Sequence, residues 1–191
     1  MSNNVPSMTP NDVTLILEHY PPPVRQQSLY WNQLVQLKVG AEYIKAYRER
    51  VAGRIWLFDL IKAVASSGAI AAWAIVQAHP LVWGGVIAIA QVADVIKGTL
   101  PLAKVHEGAA RLTQSLDALF IEAQFEWERI AAGKLEEEEI SAARRRIMTV
   151  EHDLQAKHFP YGLTRRSDLL KVAETETAAY FKGLFDMEVL R

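Results

Sequence analysis

Five histidines, a run of four glutamates and four charges set in an otherwise apolar stretch are the residues whose types could do chemistry. His19, His79, His106, His152 and His158 could ligate a metal, but the chain has no HExxH and no two histidines four apart on one helix face. His152 and His158 are six apart and point in different directions on a helix. Glu136 to Glu139 resemble an acidic metal cluster only in one dimension, because four consecutive helical positions fan out around the axis. Acids there favour the positive end of a helix dipole, so the run reads as a solvated helix start. There is no G-x-S-x-G, no phosphate-loop pattern, no G-x-G-x-x-G and no cysteine. The sequence assigns no catalytic residue, no cofactor and no metal, and points away from an enzyme.

The four interior charges carry more. From Ala63 to Ala93 the chain runs 31 residues without one Asp, Glu, Lys or Arg, interrupted only at His79-Pro80. Extending each half to its flanking charges gives Ile55–Ala78, 24 residues with only Asp59 and Lys62, and Leu81–Leu100, 20 residues with only Asp94 and Lys97. At ~1.5 Å per helical residue these reach roughly 36 and 30 Å, enough to cross a hydrocarbon core of ~30 Å. Asp94 would lie roughly 21 Å from the Pro80 turn, where an isolated carboxylate is costly and needs a partner. Lys62, about one turn nearer the cytoplasm on the other helix, is expected to reach it. The Lys62–Asp94 pair would fix packing, or form a polar seam in an assembled pore.

Around this stretch the chain reads as helices, and the expected fold class is all-α. Thr9-Pro10-Asn11-Asp12 looks like a helix start, and Pro21-Pro22-Pro23 should end that first segment in an extended conformation. Leu34, Leu37, Ala41, Ile44 and Tyr47 form one helical stripe. Leu112, Leu116, Leu119, Ala123, Trp127 and Ile130 form a second, broken at Gly133. Leu135, Ile140, Ala143, Ile147, Val150 and Leu154 form a third, ended by the turn Lys157–Gly162. Thr164 or Ser167 could cap a last helix carrying Leu169, Leu170, Val172, Tyr180, Phe181 and Leu184. No run alternates as a strand would, and no repeat recurs.

Three patterns favour a membrane hairpin. Lys45, Arg48, Arg50 and Arg54 precede it, and Lys97, Lys104 and Arg111 follow it, whereas the connecting QAHP has no Lys or Arg. The positive-inside rule then places both termini in the cytoplasm. Small residues stand four apart at Ala65/Ala69, Gly68/Ala72 and Gly84/Ala88, a spacing that lets helices approach closely in lipid. Trp56 and Trp83 fall at opposite ends of the spans, where with Arg50, Arg54, Lys97 and Lys104 they would anchor the interface; Trp73 does not fit that pattern. The alternatives are a soluble all-α interaction or assembly module with residues 63–93 as its buried core, a membrane scaffold without a pore, and a hairpin sheltered until a trigger inserts it. The start, MSNNVPSMTPNDV, lacks the basic and apolar regions of a secretory signal, and a net charge of −1 offers no field for nucleic acid.

The resulting organisation is a short N-terminal helix and Pro-rich linker (1–23), a basic amphipathic helix (24–54), a two-helix membrane hairpin (55–100) and a C-terminal cytoplasmic helical region (101–191). From Tyr30 onward this layout resembles the bacterial SLATT group, two-transmembrane effectors associated with SMODS-type nucleotide synthases and SLOG sensor domains. The basic helix EYIKAYRERVAGR (Glu42–Arg54) leads into the paired apolar helices, and LAKVHEGAARLTQSLDALFIEAQFEWERI opens the helical tail. The resemblance implies a conflict-system effector of the bacterial inner membrane. It would form a homo-oligomer in the lipid bilayer, answer to an upstream sensor or regulatory protein, and perforate or depolarise the membrane.

Overall fold

The computed structural model describes residues 22–71, 84–85, 88–89, 91–92, 95 and 102–188. Four long helices account for most of them: α1 (Pro22–Ala71), α2 (Leu102–Ala131), α3 (Glu137–His158) and α4 (Ser167–Glu188). No strand occurs among the described residues, and the all-α expectation holds.

α1 is the central element, packed against each of the other three. Its direction relative to them follows from side-chain bonds. The Tyr30 hydroxyl donates to the Ala123 carbonyl at 3.0 Å and Gln27 Nε2 donates to the Ile130 carbonyl at 3.3 Å, so α2 runs antiparallel to α1. Gln26 reaches Glu137 and Gln33 reaches Glu151, so α3 runs parallel to it. Arg50 meets Asp168 while Trp31 meets Phe181, so α4 is antiparallel again.

The core is built from stripes at three- and four-residue steps, the spacing that puts side chains on one helix face. Tyr30, Leu34, Leu37, Ala41 and Ile44 of α1 meet Leu112, Leu116, Leu119 and Ala123 of α2, with Ile140, Ala143 and Ile147 of α3 closing one side. Leu169, Ala173 and Thr177 are the buried stripe of α4. Val172, Tyr180 and Leu184, also carried by α4 as expected, are substantially exposed. The apolar positions of α4 spread around the helix, and only those facing α1 are covered. Rings extend the core at one end: Trp127 stacks on Tyr30 with centroids 6.2 Å apart, and Trp31 lies between Trp127 and Phe181 at 5.0 Å from each.

The breaks have local causes. Gly133 ends α2 at φ +68°, a left-handed conformation that a side chain disfavours, and the amide of Lys134 closes the cap on the Arg129 carbonyl. The Glu139 carboxylate accepts the Glu136 amide at 2.8 Å, so the acidic run starts α3 as the dipole argument requires. Arg146 pairs across to Glu126 on α2 rather than within its own helix. Two expectations need correction. Pro22 and Pro23 do not hold the chain extended but open α1, since the first helical turn needs no amide donors. Neither Thr164 nor Ser167 caps α4: the Leu170 amide bonds to the Arg166 carbonyl, and Ser167 is already helical.

Candidate functional site

The candidate site is the segment by which α1 leaves the bundle and α2 re-enters it. On α1 the last buried residue is Val51, and on α2 the first is Ala109. Between them none of the described side chains is buried. α1 nevertheless continues without interruption to Ala71, so there is no break between the basic helix (24–54) and the segment that follows. Gly53, just past the core, is a weak point for helix propensity and is tolerated, with nothing within 4 Å of where a Cβ would stand. The 20 residues from 52 to 71 carry the helix ~30 Å beyond the core.

Large apolar side chains are exposed beyond the core. On α1 Trp56 is 65% exposed, Leu57 49% and Leu60 41%; among the described residues between α1 and α2, Ile89 is 59%, Val92 58% and Val95 67%. Fully burying such a side chain stabilises by ~1.5–3 kcal/mol, so at exposures from about 40% to two-thirds the six together forgo on the order of 5–10 kcal/mol. That is comparable to the whole stability of a typical domain.

The base of the projection is held by polar contacts. Arg50, one residue before the end of the core, pairs with Asp168 at the start of α4, and Arg166 holds the same carboxylate at 3.2 and 3.3 Å. The guanidinium of Arg166, then that of Arg50, keep the Asp168 carboxyl well below the usual carboxylate range. The Tyr43 hydroxyl donates to the Thr164 carbonyl at 3.4 Å and accepts the Arg166 amide at 3.1 Å. The turn before α4 is thus fastened to α1 just below the point of exit.

The expected site residues distribute as follows. Trp56 and Arg54 are exposed on α1, Arg50 is engaged with Asp168 as described, and Lys104 is exposed in the first turn of α2. Lys62 is an exposed position of α1, but Asp94 lies outside the described residues, as do Ala72, Trp83 and Lys97. Ala65 and Gly68 are within α1. Gly84 and Ala88 are helical and exposed, and a Cβ at Gly84 would meet nothing within 4 Å. Among the described residues no helix is long and apolar enough to cross a membrane; residues 72–83 are not among those described.

A second feature escaped the sequence reading. α3 and α4 both lie on α1 with little packing between them, leaving a half-open cleft of about 820 Å³. Glu151 lies on its α3 wall, with Gln33 and Gln155 amides donating to its two oxygens at 3.2 Å each. Burial raises the Glu151 carboxyl above its ordinary value. The hint in the sequence is Gly40 in the stripe region of α1: a Cβ there would stand 3.5 Å from Glu151 Oε1.

No family model matches the chain, and neither does any curated protein or solved structure.

Proposed function

We propose that the protein is a membrane effector in which the four-helix bundle carries an apolar hairpin, residues 55–100, into a lipid bilayer. The observation that carries this reading is the division of the chain at Val51 and Ala109: the core closes without the described residues between them, among which six large apolar side chains are about 40–67% exposed. A bilayer would recover the burial they forgo. The reading of 63–93 as a buried core draws no support from the core that is present, to which none of the described residues in that stretch belongs. The SLATT-like layout adds the role: a bacterial defence effector that assembles through Gly68, Ala72, Gly84 and Ala88, and depolarises the inner membrane when a sensor acts on the bundle.

The test is fractionation of the full chain expressed in bacteria, with an alkaline carbonate wash, detergent extraction and a potential-sensitive dye. Retention in the washed pellet, release only by detergent and loss of potential on induction are expected. Appearance in the detergent-free supernatant would overturn the membrane reading. Firm embedding with an undisturbed potential, even on overexpression without a partner, would leave an anchor and remove the effector.

A further inference from the structure

The cleft between α3 and α4 has the chemistry of a ligand site. Its floor is α1, with Gln36, Val39 and Gly40; Phe159 and Leu163 of the intervening loop also line it. A volume of about 820 Å³ lies within the ~300–1,000 Å³ usual for small-molecule pockets. Apolar side chains supply much of the wall, as such pockets require. Two polar groups within it have room for a further partner. The Glu151 carboxylate is held only by neutral amides, with one acceptor position on each oxygen still open, and no cation among the described residues pairs with it. Thr177 is 3% exposed, and its hydroxyl oxygen is buried without a hydrogen-bond partner, although a helical threonine ordinarily bonds back to the preceding turn. A buried hydroxyl without a partner is costly in a folded protein.

We propose that this cleft binds a small organic cation, a protonated amine on an apolar body, with Glu151 as its counter-charge and the Thr177 hydroxyl as a further acceptor. Charge selects this class over an anion or a neutral compound. Among the lining residues Glu151 and Glu174 are acidic and Arg165, exposed at the rim, is the basic one. An ammonium group would pair a partly desolvated carboxylate that is held only by neutral amides, and a charge-assisted bond in a sheltered site is stronger than a neutral one. The cleft lies wholly in the bundle, so this inference stands apart from the membrane reading.

The experiment is calorimetric titration of the full chain in mild detergent with 2-phenylethylamine at neutral pH, against 2-phenylethanol as the uncharged counterpart. Saturable binding of the amine is expected, at least about tenfold tighter than the alcohol, with about tenfold loss in Glu151→Gln and a smaller loss in Thr177→Val. Affinity for the amine should also fall as the pH is lowered and the Glu151 carboxylate takes up a proton, while binding of the alcohol should not change. That readout needs no variant, and so stands even if Glu151→Gln folds poorly. Absence of saturable amine binding up to about 10 mM, equal binding of amine and alcohol, or wild-type affinity in a folded Glu151→Gln protein would each overturn the proposal.

Discussion

Replacing Ile89 by Asp separates an apolar segment in lipid from one in water by a large margin. Ile89 stands nine positions after Pro80, roughly 13–14 Å along a helix, which is near the midplane of a ~30 Å hydrocarbon core. On insertion scales Ile at the centre contributes about −0.3 to −0.6 kcal/mol and Asp about +2.5 to +3.5, a difference of ~3–4 kcal/mol. That is two to three orders of magnitude in the insertion equilibrium. If the side chain faces water instead, exchanging one exposed residue for another should change stability by less than ~0.5 kcal/mol. A matched control exists within the bundle: Ile121 on α2 is 55% exposed, close to the 59% of Ile89. The assay is the fraction of each protein that resists alkaline carbonate extraction, with far-UV circular dichroism on the detergent-purified protein. Ile89→Asp should move into the extractable fraction while keeping the helical signal of the bundle. Ile121→Asp should stay with wild type. Equal behaviour of the two variants in fractionation would refute the argument that the projection and the bundle face different solvents.

Leu112→Ala should destabilise the bundle by ~2–5 kcal/mol, seen in chemical unfolding followed by near-UV circular dichroism, because Leu112 is fully buried where α1 and α2 meet. Gly133→Ala should cost roughly 1 kcal/mol by the same assay, since φ is +68° and nothing crowds the position, so the penalty is one of backbone conformation alone. Glu151 gives a pH dependence of definite sign. Its carboxyl is raised by burial above an ordinary value near 4.5, so its contribution to stability is full below that value and is lost as pH rises through the folded value. The groups around it are the neutral Gln33, Gln36 and Tyr43 of α1, Gln155 of its own helix, Glu174 of α4 and Arg165 of the loop. In thermal melts without added amine, Glu151→Gln should therefore gain on wild type as pH is raised from about 4.5 towards neutrality; a constant difference would show that the carboxyl is not desolvated.

The stripes were legible because burial on a helix leaves a three- and four-residue period, and Leu34, Leu37, Ala41, Ile44, Leu112, Leu116 and Ile147 carry it openly. Tyr30 and Phe120, also in the core, were not picked out. Both keep the period, Tyr30 four residues before Leu34 and Phe120 four after Leu116, but the hydroxyl bond that places Tyr30 reaches a carbonyl 93 residues away and leaves no local signal. The clamp of Arg50 and Arg166 on Asp168 was hidden for the same reason: its partners are 118 residues apart, and a basic helix before an apolar stretch reads equally well as an interface anchor. Local signals did better. Gly133 was legible as a break, and the acidic start of α3 for the reason it acts, a helix dipole.

The point where α1 leaves the bundle shows the limit most clearly. Val51 is buried, and five residues later Trp56 is 65% exposed, yet both lie on one unbroken helix of 50 residues. No proline separates them, and Gly53 does not bend the pattern into a turn. A helix records in its own sequence which face is apolar, but not where along its length its neighbours stop. That boundary is set by α4, whose first turn begins at Ser167 and whose Asp168 meets Arg50, and by the turn before it, fastened through Tyr43. The segment beyond is defined by what the other three helices fail to reach. Its described large apolar side chains, from Trp56 to Val95, are accordingly left about 40–67% exposed, and it is on them that the proposed second environment would act.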